Sequence, residues 1–413
     1  MDRLVNTVRP YAWGSTTAIP ELLGEEPTGE PQAELWMGAH PGAPSRVDRG
    51  DGPRSLADVI AADPSGELGG PSVEAFGPRL PFLFKVLAAA VPLSLQVHPD
   101  RRQAEAGYAA EEAAGIPVDA PHRNYKDAHH KPELVCALST FEGFCGFRRA
   151  EESADILAAL DVDGLKPYVD LLHARPETDA LREVFTALLT ADRAEITATV
   201  SAAAPAAERL GTVGGPHAAA YAAAARAAHH HPGDPGFLAV LLLHHVRLQP
   251  GEALYLGAGV PHVYLSGLGV ELMANSDNVL RCGFTPKHVD VPELLRIVRF
   301  ESGDPAVLRP EAGDDEAEVY STPTDEFQLS RHVLPPASAP RALPSHVAQI
   351  LLCTHGTVSL HGADGSAGAD GSDGSELTLR RGESAYVRAG VAVRLRGQGT
   401  LFRAAAAVAP RRV

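Results

Sequence analysis

The sequence predicts a mainly β protein with an α-helical insertion, built as two β-barrel or jelly-roll units plus a helical domain. Short strand-like segments separated by glycine turns fill residues 236–334 and 346–408. Residues 148–235 instead carry apolar side chains at helical spacing. One pattern, L-x-x-G-E-x-x-Y-[LV]-x-A-G-V, occurs at 248–260 and again at 379–391. Repetition of this pattern indicates two related units.

The repeat predicts the type of unit and one difference between its copies. Gly-Glu and Ala-Gly mark turns on either side of a short strand that contains the tyrosine. Short strands with such frequent turns are typical of small barrels and jelly rolls, the class that includes the cupins. His262 follows the first copy, and Val393 occupies the matching position after the second. We therefore expect two cupin-like units, with a metal ligand in the first and a metal-free, structural second unit.

Predicted strands between residues 80 and 138 carry polar side chains that can face the same side of a sheet. Residues 80–98 predict two strands, and alternation puts Ser94, Gln96 and His98 on one face of the second. Residues 133–138 predict another strand, which Pro132 precedes and Glu133 begins.

The helical part and the domain boundaries follow from composition. Apolar residues recur at 181, 184, 185 and 188, with Thr178 and Asp179 as expected caps, and residues 202–228 are rich in alanine. Prolines at 335, 336, 340 and 344 favour a boundary. The predicted domains are a discontinuous catalytic barrel (1–147 and 236–334), a helical insertion (148–235) and a C-terminal barrel (335–413). The Gly/Asp/Ser tract 362–375 is expected to be a loop.

Composition limits the class of protein. The chain has 413 residues, 45% of them hydrophobic, which is enough for two or three domains. A net charge of -16 argues against nucleic acid and anionic membranes as partners. The four cysteines lack C-x-x-C spacing, and the first residues lack the apolar core of a signal peptide, so we expect a cytoplasmic protein. A monomer or weak homodimer is expected.

Four side chains have the chemistry and placement to bind one metal: Gln96, His98, Glu133 and His262. A divalent ion with two imidazoles, an amide and one carboxylate keeps about one positive charge. Such an ion can polarise a carbonyl and stabilise an enediolate. Each residue also has a structural alternative, for example an ion pair between Glu133 and Lys131.

Cationic residues nearby predict an anionic, hydroxylated ligand. Lys85 and Lys131 lie close to the ligands in sequence, and Arg281 ends a polar stretch. Arg281 either clamps a phosphate, steadies an oxyanion or pairs with Asp277 at the surface. The adjacent histidines at 129–130, 229–231 and 244–245 are expected mainly at the surface or in local packing.

Ordered segments resemble type I mannose-6-phosphate isomerases, also called phosphomannose isomerases. The segments are YAWG at 11–14, AELWMG at 33–38, FLFK at 82–85, SLQVHP at 94–99, YKD at 125–127, HKPE at 130–133, GEA at 251–253, PHVYL at 261–265, GVE at 269–271, NSDNVLR at 275–281 and TPK at 285–287. They cover most of the predicted catalytic region, whereas the C-terminal unit resembles the family only loosely.

The resemblance implies a zinc-dependent aldose–ketose isomerase that interconverts mannose 6-phosphate and fructose 6-phosphate through a cis-enediol. It implies one zinc held by Gln96, His98, Glu133 and His262. It further implies a catalytic Arg281 and phosphate contacts from Lys85 and Ser94. The other residues it places in the pocket are Trp13, Glu34, Lys131, Tyr264, Glu271 and Asp277. The general base stays open among Asp277, Lys131 and a metal-bound water.

Three alternatives remain at the level of sequence. Two histidines and one carboxylate also describe a non-haem iron oxygenase, although Gln96 would fill a position that oxygen needs. A sugar-phosphate sensor or storage protein can be built on the same barrels. The same chemistry can also act on free mannose or another aldose phosphate, but the lysines favour a phosphorylated sugar.

Overall fold

The computed structural model describes residues 1–313, 317–362 and 376–409. Helix and strand each account for 31% of the described residues, so the helical share is larger than a mainly β class implies. The predicted loop at 362–375 lies outside the described residues, apart from Gly362. None of the described helices combines the length and apolar character needed to cross a membrane.

The strands of the described residues are short, except for three that have 13 or 14 residues. They are β1 Asp2–Arg3, β2 Thr7–Arg9, β3 Glu34–Met37, β4 Arg46–Asp48, β5 Pro53–Ser55, β6 Phe82–Ala89, β7 Leu95–Val97, β8 Glu133–Ala137, β9 Phe141–Phe147, β10 Leu243–Leu248, β11 Ala253–Leu256, β12 His262–Ala274, β13 Leu280–Gly283, β14 Val307–Leu308, β15 Glu311–Ala312, β16 Glu318–Tyr320, β17 Gln328–Leu334, β18 Arg341–Leu343, β19 Gln349–Gly362, β20 Glu376–Arg380, β21 Ser384–Val387 and β22 Val393–Ala405.

Six of the twelve described α-helices lie between β9 and β10. The twelve are α1 Ala18–Leu23, α2 Leu56–Ala62, α3 Pro64–Leu68, α4 Gly70–Phe76, α5 Arg101–Ala113, α6 Ala150–Ala158, α7 Lys166–Ala174, α8 Glu177–Thr190, α9 Arg193–Val213, α10 Ala218–His230, α11 Gly236–Leu241 and α12 Val291–Ile297, with one 3-10 turn at Asp163–Leu165. The six between β9 and β10 are α6 to α11.

Two large antiparallel sheets and the small two-stranded sheet β4-β5 contain the described strands. The first has the order β14-β11-β8-β12-β6-β3-β2, and β7, β9, β10 and β13 join it at the start of β12. The second has the order β1-β21-β19-β22-β17-β16-β15, with β18 and β20 at its side. Strands β15 to β17 therefore pair with the C-terminal sheet although they precede residue 335. The domain division stays a prediction, and pairing would start its C-terminal unit near Glu311.

Strand β12 gives the first sheet its curl. Its first residues pair with β7 and β9, whereas Gly267–Ala274 pair with β6. Gly267 has a φ of 127°, and a Cβ there would lie 2.7 Å from the Thr140 carbonyl oxygen. Only glycine fits this crossing without strain. The curl lets side chains from both parts of the sheet face one interior.

The two sheets pack on a shared apolar core. In β6, Phe82, Phe84, Val86 and Ala88 face this core together with residues of the second sheet such as Ile350. The alternate β6 residues face the interior of the first sheet, and all eight residues are buried. Burial on both faces explains why β6 is a nearly continuous apolar run. Lys85 is its one charged residue, placed on the interior side.

Both copies of the sequence repeat take the same local structure. The turn glycines Gly251 and Gly259 have φ of 88° and 78°, and Gly382 and Gly390 have φ of 84° and 81°. Each copy forms a four-residue strand and then a 13-residue strand. Val393, which replaces the histidine, is buried in an apolar cluster inside the second sheet.

The helical region runs from Ala150 to Leu241, close to the predicted insertion. The expected capping of α8 is wrong. The helix begins at Glu177, and its N-cap, Pro176, makes no side-chain bond. Thr178 and Asp179 therefore lie inside the first turn, where the charge of Asp179 still favours the helix N-terminus.

Candidate metal centre and its pocket

The predicted site residues surround one cavity of about 580 Å³ in the first sheet. The predicted site residues that line it are Trp13, Glu34, Lys85, Ser94, Gln96, Lys131, Glu133, Tyr264, Glu271, Asp277 and Arg281. His98 and His262, the two remaining predicted ligands, are 0% and 1% exposed and both contact Glu133. The sequence therefore identified a set of side chains that the fold does bring together.

The Glu133 carboxylate lies between the two imidazoles. Its Oε1 is 3.4 Å from His98 Nε2, and its Oε2 is 3.4 Å from His262 Nε2. The Gln96 amide nitrogen is 3.3 Å from His262 Nε2, and a flip of this amide would present its oxygen instead. Within residues 1–313, 317–362 and 376–409, His98, Glu133 and His262 are the one cluster of three such side chains close enough to share an ion.

Both imidazoles are oriented for coordination. His98 Nδ1 lies 2.7 Å from the Asn278 carbonyl oxygen, and His262 Nδ1 lies 2.9 Å from the Val260 carbonyl oxygen. Because a carbonyl only accepts, each Nδ1 carries the proton and each Nε2 keeps its lone pair for the interior. His98 Nε2 and Glu133 Oε2 are buried and make no hydrogen bond to the described residues. Buried polar atoms without such a bond call for another partner, and a metal ion at this point would satisfy both.

The charge states of these groups suit a metal. Burial, with help from the charge of Lys131, lowers the pKa of His98 to about 4, so its imidazole is neutral near pH 7. Burial raises the pKa of Glu133, but Lys131 and the two histidines outweigh it and hold that pKa well below its ordinary value. Neutral imidazole and ionised carboxylate are the forms that bind metals.

Two buried lysines have carboxylate partners. Lys131 Nζ is 2.7 Å from Glu133 Oε1, so the ion pair considered from sequence is present within the candidate metal centre. Lys85 Nζ is 2.7 Å from Glu271 and 3.4 Å from Glu34. Burial lowers the pKa of Lys85, but the two carboxylates outweigh this and raise it overall. Any phosphate at Lys85 would therefore compete with two fixed negative charges.

Arg281 and Lys287 form what we call the cationic rim of the cavity. Burial lowers the pKa of Arg281, and the nearby charge of Arg281 lowers the pKa of Lys287. In the part of the chain that the structure describes, no carboxylate pairs with either side chain. Asp277 instead lies 3.3 Å from His40 Nε2, so the surface ion pair considered for Arg281 does not form.

Asn278 is a buried residue whose role the sequence did not reveal. Its Nδ2 donates to the backbone oxygens of Asp127 (2.7 Å) and His129 (2.8 Å). Its Oδ1 accepts from the Lys126 backbone N–H at 2.7 Å, while its own carbonyl holds His98. The Asn278 side chain thus binds the loop that leads to Lys131, and its backbone carbonyl binds His98, a proposed metal ligand. The only signal in the sequence was the asparagine within the NSDNVLR segment. The partners of its side chain lie 149 to 152 residues away in sequence, so no local pattern reveals them.

Three other residues line the cavity, although the sequence did not indicate it. His230 and His231, expected mainly at the surface or in local packing, line the cavity because α10 ends there. The His231 ring lies 5.2 Å from that of Phe284, and burial lowers its pKa. Trp36, which lies in the AELWMG segment, lines the cavity and donates to Glu34 at 2.6 Å.

Comparisons with known proteins agree on one family. Residues 1–150 match the family model described as phosphomannose isomerase type I, catalytic domain. The mannose-6-phosphate isomerase of Escherichia coli (strain K12) is 41% identical over 407 residues, which cover 98% of this chain and 99% of that protein. The mannose-6-phosphate isomerase of Homo sapiens is 32% identical over 376 residues, covering 85% of this chain and 86% of that protein.

Solved structures show the same likeness. A mutant phosphomannose isomerase from Salmonella typhimurium has a TM-score of 0.88 at 38% identity and covers 99% of this chain and 100% of that chain. A zinc-bound mannose 6-phosphate isomerase has a TM-score of 0.86 at 38% identity, with 98% and 99% covered.

Proposed function

The chain belongs to the type I mannose-6-phosphate isomerases, and from this membership we propose that it interconverts mannose 6-phosphate and fructose 6-phosphate with one zinc ion per chain. It is an enzyme of the aldose–ketose isomerase class. The observation that carries the proposal is the buried cluster of His98, Glu133 and His262, whose ligand atoms lie within 4.8 Å of one another. Sequence likeness alone would leave open whether this chain has kept the site.

The residues present fit zinc. Nitrogen and carboxylate ligands suit this ion, and the carbonyl contacts at both Nδ1 atoms are the usual outer support of zinc-bound histidines. Gln96 adds a fourth, neutral ligand beside His262. When bound, zinc would supply the positive charge that polarises the sugar carbonyl and favours a negative oxygen next to it.

Charge on the cavity wall favours a phosphorylated sugar. The cationic rim, Arg281 and Lys287, has no carboxylate partner among the described residues, in contrast to Lys85 and Lys131. An unpaired guanidinium beside an ammonium is a good phosphate site. We therefore assign the phosphate to the rim, with Ser94 as a further donor at the cavity wall. Lys85 then acts mainly by fixing Glu34 and Glu271, whose carboxylates can accept from sugar hydroxyls.

In the forward direction a base removes the proton from C2 while O1 gains a proton, which gives a cis-enediol; the O2 hydroxyl then loses its proton while C1 gains one, which gives fructose 6-phosphate. Lys131 is held as an ammonium beside Glu133 and can donate to a substrate oxygen. Burial raises the pKa of Asp277, but His40 and the charges of Lys131 and Lys85 outweigh it, so this carboxyl is ionised at neutral pH. Of the two residues, Asp277 is thus better suited to accept the proton. Because Arg281 is assigned to the phosphate, the Lys131 ammonium is the side chain that can stabilise the developing negative charge. Trp13 and Tyr264 complete the wall that orients the sugar.

Turnover by the zinc-loaded protein tests this function. We expect conversion of mannose 6-phosphate to fructose 6-phosphate in a coupled assay, with little conversion of glucose 6-phosphate or free mannose. Bound iron together with oxygen uptake would indicate the oxygenase alternative. Tight binding of mannose 6-phosphate without turnover, with zinc present, would indicate a sensor or storage protein.

The division into units, the cellular location and the oligomeric state are also proposals. We infer that each sheet is the core of one cupin-like unit, that the active site lies in the unit of the first sheet, and that the C-terminal unit begins near Glu311 rather than at residue 335. A cytoplasmic location accords with cysteines at 136, 145, 282 and 353 that are all buried and unpaired. A monomer or weak homodimer is proposed, and gel filtration of the zinc-loaded protein would distinguish the two.

A further inference from the structure

The segment before β17 reaches from the second sheet to the loop that carries Lys131. We propose that Glu326, in this segment, is a positioning residue that fixes His130 and through it the ammonium of Lys131. This inference gives the C-terminal sheet a direct part in the active site, and its kinetic test rests on the proposed isomerase function.

Glu326 makes three contacts that meet at one carboxylate. Its Oε1 lies 2.7 Å from His130 Nε2 and 2.6 Å from Arg101 Nη2, and its Oε2 accepts from the Thr324 hydroxyl. The Glu326 side chain is only 6% exposed, and that of His130 is 23% exposed. Charged hydrogen bonds at these distances and this burial hold a side chain more firmly than surface ion pairs do.

Glu326 is itself held by the second sheet. Phe327, the next residue, is fully buried in the core that the two sheets share. The Asp325 carbonyl oxygen, on the other side, accepts from the Ala407 backbone N–H at 3.0 Å. The second sheet therefore holds the Glu326 carboxylate in one position beside the first sheet.

The His130 ring is a third anchor for the backbone that carries Lys131. The carbonyl oxygen of His129 is held by Asn278, and the carbonyl oxygen of Pro132 accepts from the Ala274 N–H at 3.0 Å. Together with the anchored His130 ring, these two bonds leave the backbone on both sides of Lys131 with little freedom. A displacement of about 1 Å at a reacting group can cost about 10²-fold in rate, so a fixed approach matters here.

Four zinc-loaded variants test the proposal: Glu326→Ala, His130→Ala, the double variant, and Glu318→Ala as matched control. Glu318 is also an arginine-paired glutamate of the second sheet, but its partner is Arg331 and it does not contact the loop. We expect Glu326→Ala to lower kcat/KM about tenfold, mostly through kcat, and Glu318→Ala to stay within twofold of the parent. Glu326→Gln, which keeps an acceptor for His130, should recover most of the loss.

The double variant measures whether the two residues act as one unit. If Glu326 works through His130, the double variant is no slower than the slower single variant. Independent multiplication of the two losses, or a Glu326→Ala enzyme within twofold of the parent, would overturn the proposal. Should Glu326→Ala fail to fold, His130→Ala removes the same contact from the loop side and must show the same tenfold loss.

Amide hydrogen exchange gives a readout that does not depend on turnover. The Lys126 and His129 N–H groups are bonded to Asn278 and Asp127. In Glu326→Ala and His130→Ala we expect these amides to exchange faster, with no change in β8 or in the second sheet. Unchanged exchange would contradict the anchoring, even if the parent protein proved to act on another sugar.

Discussion

Replacing Asn278 by alanine tests whether one buried side chain holds the active-site loop in place. Its three short bonds, to the Asp127 and His129 carbonyl oxygens and from the Lys126 N–H, span 2.7 to 2.8 Å. At about 1 kcal/mol of net free energy each, their loss should reduce the free energy of unfolding by about 3 kcal/mol.

The thermal consequence follows from chain length. An unfolding entropy of about 2.1 cal/mol/K per residue gives about 0.9 kcal/mol/K for a chain of 413 residues. A loss of about 3 kcal/mol should therefore lower Tm by about 3 °C. Release of the loop moves Lys131 relative to the sugar, and we expect kcat/KM to fall by about 10²-fold in the zinc-loaded variant.

Calorimetry and steady-state kinetics measure both effects. Asn275→Ala is the matched control, because the Asn275 side chain makes one long bond of 3.3 Å to the Leu80 carbonyl oxygen in the same segment. The control should differ from the parent by about 1 °C or less in Tm and keep its activity. The reasoning is refuted if Asn278→Ala and Asn275→Ala have the same Tm and the same kcat/KM.

Three further predictions concern the metal, the phosphate and pH. Glu133→Gln removes the carboxylate of the ligand set, so zinc measured by mass spectrometry after dialysis should fall well below one per chain; retention of a full equivalent would contradict its role. Lys287→Ala removes one charge of the cationic rim, so KM for mannose 6-phosphate should rise about tenfold, and an unchanged KM would place the phosphate elsewhere. Burial raises the pKa of Glu326, but the contacts with His130 and Thr324 outweigh it and lower that pKa to about 2. Because the folded pKa is depressed, ionised Glu326 stabilises the fold above its ordinary pKa of 4.5, and this contribution is lost as pH falls towards 2. Urea unfolding should thus separate the parent from Glu326→Gln at pH 6 and bring the two together near pH 2, and a constant difference would contradict the charge effect.

The positions of the proposed metal ligands could be predicted because they depend on local structure. Alternation in a strand puts Gln96 and His98 on one face, and the turn at Gly259 fixes where His262 enters β12. The repeat also distinguishes His262 from the matching residue of the second copy, because the same turn there leads to the apolar residue Val393. Strand alternation and turns depend on residues that are close in sequence, so they can be recognised from the sequence alone.

The rest of the site depends on contacts that no local pattern contains. His230 and His231 belong to the end of a helix that the fold carries to the cavity, and adjacent histidines gave no sign of it. The role of Glu326 requires the second sheet to pack against the first. Asn278 forms its bonds to a loop that lies about 150 residues earlier in the chain. N-cap propensity likewise favoured Thr178 as a cap, but α8 begins at Glu177, directly after Pro176.

Zinc titration of chelator-treated protein, read out as turnover of mannose 6-phosphate, tests the central claim most directly. The buried cluster of His98, Glu133 and His262 is the one such group in the described ranges 1–313, 317–362 and 376–409. We predict that activity is absent after chelation and returns in full at one equivalent of zinc per chain. Activity that survives removal of the metal, or that needs a second equivalent, would contradict a single zinc centre as the active site.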